Sequence, residues 1–320
     1  MGNRCLICGR PLDAEGNDYH PNCLKGLFGG MTVPVFAYST DELNRMAREL
    51  VLSRMSVPGV QAKLSVHLER DGGTDRMTLV GLDGNYILKL PTGMYPELPE
   101  SEHFAMTLAR ECGIETADFG LVRLESGALA YVTRRMDRED GIKHMEDMCQ
   151  LTERRTERKY YGSYEQIVKR IWKYAANPGR DVAAFLEELL FSFIIGNSDM
   201  HLKNFSLIRE YDGEWRLSKA YDLVPVKTVM PADPDDLALT VNGKNRNLTA
   251  GDFAKACESM RLTPVQFKRT VKRVTTNVAA HLEEAFDRSF LSDGFKSRCR
   301  ELVRERLDLF RALIKQAFMV

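Results

Sequence analysis

The prevailing spacing of apolar residues changes near residue 140 of this chain, and that change constrains the fold more than any other feature. Between residues 56 and 136 apolar and polar residues alternate in short segments, as at Leu64, Val66 and Leu68, which is typical of half-buried strands. From about residue 140 apolar residues recur every three or four positions, as in residues 164–175, which favours amphipathic helices. Strands followed by helices predict an α+β fold with a sheet-rich first lobe and a helical second lobe.

Turn and capping residues give the predicted elements approximate bounds. We predict three domains, which are residues 1–30, 31–138 and 139–320. The elements predicted in the first part are a helix over 40–50 capped by Thr40 or Asp41, a hairpin within 76–91 turning at Asp83-Gly84 or Gly84-Asn85, a helix over 101–112, and strands over 119–124 and 128–136. Those predicted later are helices over 164–175, 181–195 (capped by Asp181), 250–260, 264–289 and 295–318, with residues 230–236 as a surface loop.

Charge and hydropathy exclude several classes of protein. Lys plus Arg and Asp plus Glu each number 45, so the formal net charge is zero and no overall field favours nucleic acid or a membrane surface. The N-terminus has no apolar core suited to a secretory signal, and no segment approaches the roughly 20 apolar residues of a membrane helix. We therefore expect a cytoplasmic protein without a membrane partner.

Three of the seven cysteines lie near a histidine in residues 1–30, here called the Cys/His segment. Cys5 and Cys8 form one close pair, His20 and Cys23 form another, and a short loop separates the pairs. Two such pairs can complete a tetrahedron around Zn²⁺ with no open position, so we predict a structural zinc site. The alternative is a set of ordinary thiols in a flexible start. The remaining cysteines are expected to be reduced core residues.

Residues 56–102 contain features suited to binding a nucleotide. Residues 56–63 form a turn with one glycine, where backbone amides could approach phosphates, although a turn that merely enters a strand has the same composition. Lys89 lies late in a predicted strand between apolar residues, so it either reaches a phosphate or extends from a sheet edge. Glu102, near the start of the next helix, is predicted to pair with Lys89, the alternative being a surface acid at a helix N-terminus.

The most informative segment is residues 197–205, a mainly polar stretch directly after a very apolar predicted helix. Asp199 and Asn204 have the Asp-x4-Asn spacing of a kinase catalytic loop, in which the aspartate accepts the acceptor hydroxyl's proton and the asparagine binds metal. A hairpin turning at residues 212–213 is predicted to bring Asp222 back beside this loop. Carboxylate and amide oxygens are ligands that Mg²⁺ prefers, so we predict that Asp222 and Asn204 bind Mg²⁺, although Asp222 alone would equally suit a turn or helix cap.

These residues do not decide which substrate is phosphorylated or whether the protein is an active enzyme. The same aspartates and asparagine would serve a small-molecule kinase as well as a protein kinase. A non-catalytic pseudokinase scaffold would not need Lys89, Asp199, Asn204 and Asp222 together. His201 is interpreted as a hydrogen-bonding residue of the loop rather than as a base or a metal ligand.

The sequence motifs together resemble the HipA family, which comprises kinases of bacterial toxin–antitoxin systems. The resemblance covers roughly residues 50–315 and rests on SVPGVQAK, YILKLP, SEHFAMTLARECGIETAD, AYVTRRMDR, GNSDMHLKNFSLI and KAYDLVP, in that order. It implies a two-lobed kinase fold and Mg²⁺- and ATP-dependent phosphorylation of a Ser or Thr hydroxyl of a protein such as an aminoacyl-tRNA synthetase. It also implies that Ser56 is autophosphorylated, which would place negative charge beside the nucleotide phosphates.

The resemblance also assigns site residues. The predicted catalytic residues are Asp199, Lys89 and Glu102. The predicted ATP-binding residues are Ser56, Val57, Pro58, Gly59, Val60, Lys89, His201, Lys203, Asn204 and Asp222. The loop at residues 56–60 departs from a glycine-rich pattern, because it contains one glycine.

The chain departs from the full-length family pattern at its start, where a subdomain of about a hundred residues usually precedes the phosphate loop. This resembles the split HipT-type arrangement, in which a separate HipS-like protein supplies that subdomain and a HipB-like helix-turn-helix antitoxin binds DNA. We therefore expect antitoxin partners, with nucleic acid contacted only through them.

Overall fold

The computed structural model describes residues 3–13, 16–36, 38–39, 41–43, 45–46, 61, 63–71, 74–80, 83–139 and 141–315. The predicted phosphate-loop residues Ser56, Val57, Pro58, Gly59 and Val60 lie outside the described residues. The chain divides into two compact units, the first drawn from residues 1–107, 117–140 and 286–291 and the second from residues 108–116, 141–285 and 292–320.

The first unit is built on a six-stranded sheet. Its strands are β1 Val35–Phe36, β2 Lys63–Asp71, β3 Thr74–Leu79, β4 Tyr86–Lys89, β5 Phe119–Arg123 and β6 Leu129–Arg134. The strand order is β1-β3-β2-β4-β6-β5, antiparallel throughout except for the β1–β3 pair. Its helices include α1 Pro21–Phe28 and α2 Leu98–Glu111, and residues 98–107 of α2 belong to this unit. A 3₁₀ turn follows at Met136–Arg138.

The predicted hairpin within residues 76–91 is wrong, because β3 and β4 lie on opposite sides of β2. β2 forms the hairpin with β3, ending in the pair Asp71 and Thr74, whose two intervening residues are a Gly-Gly turn signal in the sequence. Gly84 packs against β2 instead of turning toward β3. A β-carbon there would lie 2.5 Å from the Val66 carbonyl oxygen, so only glycine allows this approach.

The second unit is mainly helical and carries a three-stranded antiparallel sheet of β7 Met145–Asp147, β8 Ser206–Arg209 and β9 Trp215–Leu217, in that order. Its remaining helices are α3 Met148–Leu151, α4 Tyr164–Tyr174, α5 Pro178–Ile195, α6 Val226–Val229, α7 Ala250–Ser259, α8 Pro264–Arg288 (residues 286–288 belonging to the first unit) and α9 Asp293–Lys315, with 3₁₀ turns at Thr156–Arg158 and Leu202–Asn204. The sheet-rich first unit and mainly helical second unit confirm the predicted α+β, two-lobed class. The division at residues 30 and 138 stays a prediction.

Two predicted helix caps are wrong. Asn177 caps α5 by accepting the Arg180 N–H, and Pro178 occupies the first turn, where its missing N–H costs no hydrogen bond. Asp181 is buried and accepts the Leu217 N–H at 3.0 Å. The predicted cap Asp41 is itself helical, and Ser39 forms reciprocal hydrogen bonds with Glu42, a Ser-x-x-Glu capping box that was visible in the sequence. The alternative cap, Thr40, lies outside the described residues.

Within the described residues, none of the helices combines the length and apolar character needed to cross a membrane.

The buried carboxyl group of Glu188 should make the stability of the protein depend on pH. Glu188 lies on α5 and is 4% exposed, and its Oε1 atom has no hydrogen-bond partner among the described residues. Burial raises the pKa of Glu188 from 4.5 to about 8. Between these values the folded chain keeps a proton that the unfolded chain releases, so this group's contribution to stability is complete at low pH and is lost as the pH rises toward 8.

Glu188→Gln should therefore be more stable than wild type at pH 8, and the difference should shrink toward pH 5 by up to about 1.4 kcal/mol per pH unit. Urea unfolding from pH 5 to 8 measures this, with the exposed α9 residue changed in Glu301→Gln as control. Identical pH dependence in wild type and Glu188→Gln would contradict the assignment.

Candidate active site and candidate metal centre

The polar segment 197–205 follows α5 because the helix ends sharply at Gly196, which adopts a left-handed φ of 74°. A β-carbon at Gly196 would lie 2.5 Å from the Leu302 side chain, so another residue would be both strained and crowded there. Met200, Leu202 and Phe205 are buried and anchor the segment, whereas Asp199 is exposed. The segment is therefore a fixed loop that presents one carboxylate to solvent.

Asn204 and Asp222 are joined directly. The Asn204 Nδ2 donates to Asp222 Oδ2 at 2.9 Å, and Asn204 Oδ1 accepts the His201 N–H at 3.0 Å. Antiparallel pairing of β8 with β9 turns the chain back toward the loop before Asp222. Asp222 has a φ of 61°, a conformation that costs free energy for most residues and that is concentrated at functional sites.

Tyr221 hydrogen-bonds the chain just before Asp222 to the loop. Its hydroxyl donates to the Lys203 carbonyl at 2.9 Å and lies 2.7 Å from Ser206 Oγ. The residue before Asp222 is thus tied to the residue before Asn204. The local backbone fixes the spacing of the two predicted metal ligands.

Tyr160 contacts the predicted base and was missed by the sequence analysis. Its hydroxyl donates to Asp199 Oδ1 at 2.8 Å, and its ring packs edge-on against the His201 ring at 5.1 Å. Burial raises the pKa of Tyr160 well above its usual range, and the charges of Asp199, Asp222 and Asp233 raise it further. Asp199, the predicted base, and Asp222, a predicted metal ligand, therefore both influence the ionisation of the Tyr160 phenol.

Lys203, predicted to bind the nucleotide, forms an ion pair with Asp147. Its ammonium lies 2.5 Å from Asp147 Oδ2, and Asp147 also caps α3 by accepting the Gln150 N–H. A charged partner in this position holds the lysine beside the loop. Lys203 therefore extends toward β7 and α3 in this structure, and its predicted role with nucleotide stays a prediction.

Residues 230–236, predicted to be a surface loop, contain no helix or strand and also contact the predicted catalytic loop. Ser198, beside Asp199, donates its hydroxyl to Asp233. The Lys227 ammonium donates to the carbonyls of Asp233 and Asp235 at 2.9 and 3.0 Å. The residue before the predicted base is thereby tied to a second, independently anchored segment.

The first unit contains a buried ion pair. Lys89 Nζ, at the end of β4, lies 2.6 Å from Glu102 Oε1 on α2, and the side chains are 4% and 1% exposed. The Tyr131 ring centroid is 5.3 Å from the same ammonium. Because two buried charges are costly unless paired, this pair fixes the lysine head group rather than leaving it to extend into solvent.

The Cys/His segment forms a compact cluster. The ligand atoms of Cys5, Cys8, His20 and Cys23 all lie within 4.8 Å of one another. His20 directs Nδ1 at the Cys8 sulfur at 3.3 Å, while its Nε2 lies 2.9 Å from the Pro11 carbonyl oxygen. A metal-binding histidine commonly fixes its ring in this way, with one nitrogen toward the ion and the other N–H on a carbonyl.

The three thiols of the cluster influence one another's ionisation. A hydrogen bond with Cys8 lowers the pKa of Cys5 to about 4. Burial raises the pKa of Cys23, and the negative charge of Cys5 raises it further. A divalent cation would remove this conflict, because each sulfur can then lose its proton. Three sulfurs and one imidazole fit tetrahedral Zn²⁺, with bonds of about 2.3 Å to sulfur and about 2.0 Å to nitrogen.

The fold belongs to the two-lobed, protein-kinase-like class. A sequence model for the HipA-like C-terminal domain matches residues 55–282, well over half of the chain. The chain therefore belongs to the HipA-like C-terminal domain family.

Curated relatives and solved structures agree with this assignment. The putative kinase Y4dM of Sinorhizobium fredii is 33% identical over 210 residues, covering 62% of this chain and 51% of that protein. A putative kinase of Haemophilus influenzae is 31% identical over 185 residues, covering 54% of this chain and 53% of that protein. The chain thus spans about half the length of these curated relatives.

Among solved structures, a chain from the complex of Shewanella oneidensis MR-1 HipA, HipB and operator DNA has a TM-score of 0.70 at 20% identity, covering 85% of this chain and 72% of that one. The proinflammatory kinase CtkA of Helicobacter pylori has a TM-score of 0.52 at 14% identity, covering 80% of this chain and 98% of that one. At these identities the likeness establishes the fold.

Removing one partner of the buried Lys89–Glu102 pair should destabilise the protein. Glu102→Ala should lower the free energy of unfolding by about 3–5 kcal/mol, because it removes the carboxylate that compensates a buried ammonium. The double variant Lys89→Met/Glu102→Leu should lose less than Glu102→Ala alone, since no buried charge is then left. Urea unfolding measures both.

The pair of half-buried Arg300 and exposed Glu283 serves as control, and Glu283→Ala should cost at most about 1 kcal/mol. Equal losses in Glu102→Ala and the double variant would contradict the argument from buried charge.

Proposed function

We propose that this chain is a Mg²⁺- and ATP-dependent protein kinase that phosphorylates Ser or Thr hydroxyls. The observation that carries the proposal is the cluster in the second unit, where Asp199 is exposed on a fixed loop and the Asn204 amide is hydrogen-bonded to Asp222. Membership of the HipA-like family supports it, as do relatives that are named putative kinases.

Each residue has a defined chemical task in this proposal. Asp199 takes the proton of the acceptor hydroxyl while that oxygen forms a bond to the γ-phosphorus and the bond from phosphorus to the β-phosphate oxygen breaks, releasing ADP. Tyr160 holds one oxygen of Asp199 at 2.8 Å and limits rotation of the carboxylate. Lys89, fixed by Glu102, contacts nucleotide phosphates.

The residues present fit a magnesium ion. Asp222 supplies a carboxylate, and Asn204 Oδ1 retains a second lone pair after accepting the His201 N–H. Bound Mg²⁺ would neutralise charge that develops on the phosphate oxygens. The left-handed conformation at Asp222 supports a functional role, since such strain is retained where a particular side-chain direction is needed.

We further propose that the kinase acts as a toxin whose partner is an antitoxin protein, with a translation component such as an aminoacyl-tRNA synthetase as its substrate. The fold shared with a chain of the HipA, HipB and operator DNA complex supports the partner. Autophosphorylation of Ser56, a cytoplasmic location and a separate HipS-like partner remain expectations.

We also propose that Cys5, Cys8, His20 and Cys23 hold one structural Zn²⁺. The support is the mutual approach of the ligand atoms within 4.8 Å and the orientation of the His20 ring. A set of four protein ligands leaves no open position for water, so a catalytic role is not proposed.

Asp199→Asn tests the assignment of the base. Transfer of labelled γ-phosphate from ATP to proteins of a cell lysate should fall by about 10²- to 10⁴-fold, because the variant cannot accept the proton. Thermal stability should stay near that of wild type, since Asp199 is exposed. The exposed α9 residue changed in Asp308→Asn is the matched control and should keep full transfer.

Labelled protein bands that disappear with Asp199→Asn support the protein kinase. Label confined to the small-molecule fraction of the lysate would instead identify a kinase of small molecules. Undiminished transfer in Asp199→Asn would remove Asp199 from the mechanism.

Asp222→Asn tests the metal site. Affinity for Mn²⁺, which can replace Mg²⁺, should weaken at least about tenfold in the presence of ATP, because a carboxylate ligand is lost. Electron paramagnetic resonance of free Mn²⁺ measures the affinity, with Asp212→Asn in the exposed β8–β9 turn as control. Unchanged affinity in Asp222→Asn would place the ion elsewhere.

A further inference from the structure

Three consecutive residues of α2 contact three different parts of the first unit. Glu102, His103 and Phe104 are all at most 1% exposed. Successive helix residues point about 100° apart, so they reach different neighbours. Glu102 pairs with Lys89, and the Phe104 ring stacks on Phe286 with centroids 4.6 Å apart.

His103 contacts the Cys/His segment. Its Nε2 lies 2.9 Å from the carbonyl oxygen of Ile7, which stands between Cys5 and Cys8 in the sequence. The His103 ring also packs edge-on against Phe119 and Phe290, with centroids 5.4 and 5.6 Å away. The residue after the predicted catalytic glutamate is therefore hydrogen-bonded to the turn that carries two of the predicted zinc ligands.

The same segment also contacts the strand that carries Lys89. α1, which contains Cys23, ends near Leu27, and the Leu27 carbonyl accepts the Tyr86 hydroxyl at 2.9 Å. Tyr86 begins β4 and Lys89 ends it. Both elements of the Lys89–Glu102 pair are thus attached to the Cys/His segment, α2 through His103 and β4 through Tyr86.

Further contacts hold the segment on the first unit. The Leu121 N–H donates to the Leu6 carbonyl at 2.7 Å, and Arg288 donates to the Cys8 carbonyl through Nε and a terminal nitrogen at 3.1 and 2.8 Å. A β-carbon at Gly120 would lie 2.8 Å from the Ile7 side chain, so β5 approaches the segment closely. These contacts use backbone carbonyls of the Cys-x-x-Cys turn, whose positions depend on the shape of that turn.

We infer that metal bound by Cys5, Cys8, His20 and Cys23 fixes this turn as a brace for α2 and β4, and thereby holds the Lys89–Glu102 pair. A segment of 30 residues has too small a core to keep its shape alone, so cross-linking by an ion supplies much of its rigidity. Three thiols and an imidazole select a soft or borderline ion such as Zn²⁺ over Mg²⁺. The consequence for ATP binding rests on the proposed kinase function, whereas the brace itself does not.

Hydrogen exchange of the full chain, read by mass spectrometry, tests the brace without reference to activity. The zinc-loaded protein should contain one zinc per chain by elemental analysis. Removing the ion with a chelator should raise amide exchange in residues 98–107 and 86–89 by about tenfold, and adding Zn²⁺ should reverse the change. Residues 183–195 of α5, in the second unit, are the internal control and should be unaffected.

Variants at His103 separate the hydrogen bond from the metal itself. In the zinc-loaded form, His103→Leu should raise exchange in residues 98–107 by about threefold to tenfold, because the donor to the Ile7 carbonyl is lost. His103→Gln keeps a donor near the Nε2 position and should restore most of the protection. Cys257→Ala, a buried cysteine outside the cluster, should keep both zinc and protection.

Exchange that is unchanged on zinc removal, or a protein that binds no zinc, would overturn the brace. Increased exchange on zinc removal supports it whatever the activity shows. If exchange increases while the KM for ATP stays constant, the brace stands and the proposed role of Lys89 in nucleotide binding fails.

Discussion

The hydrogen bond between the Asn204 amide and the Asp222 carboxylate is the contact on which the second unit's site depends. It joins residues 18 positions apart, and each side is supported separately. The loop is anchored by buried apolar side chains and by Ser198 against Asp233, while the β8–β9 hairpin and Tyr221 return the chain to it. The two oxygen-bearing side chains therefore hold a fixed spacing, so the Mg²⁺ and nucleotide binding proposed above would require little ordering of this site.

The first unit uses buried charge and a cross-linked segment for a similar purpose. The Lys89–Glu102 pair is almost fully excluded from water, so its geometry cannot drift without exposing or separating two charges. The elements that carry it are attached to one Cys/His segment through His103 and Tyr86. The Cys/His segment, which is far from Lys89 in the sequence, is thereby linked to the elements that position this lysine.

Sequence patterns predicted most of the strands, the long helices and the α+β class because these depend on local periodicity, whereas the short strands β1 and β7 were not predicted. The sequence spacing singled out Asn204 and Asp222, which the structure joins by a hydrogen bond, since a short loop and a hairpin determine most of their separation. The predicted pairing of β4 with β3 was wrong because turn signals near Gly84 do not determine which strand lies beside β4 in the sheet. Tyr160 and His103 were missed because their contacts lie 39 and 96 residues away.

The central claim is that Asp222 and Asn204 share one divalent ion that also binds the nucleotide phosphates. Anomalous diffraction from a crystal grown with Mn²⁺ and a non-hydrolysable ATP analogue tests it most directly. An ion is expected about 2.1 Å from an Asp222 carboxylate oxygen and from the Asn204 amide oxygen. An ordered nucleotide whose ions take no ligand from either residue would contradict it.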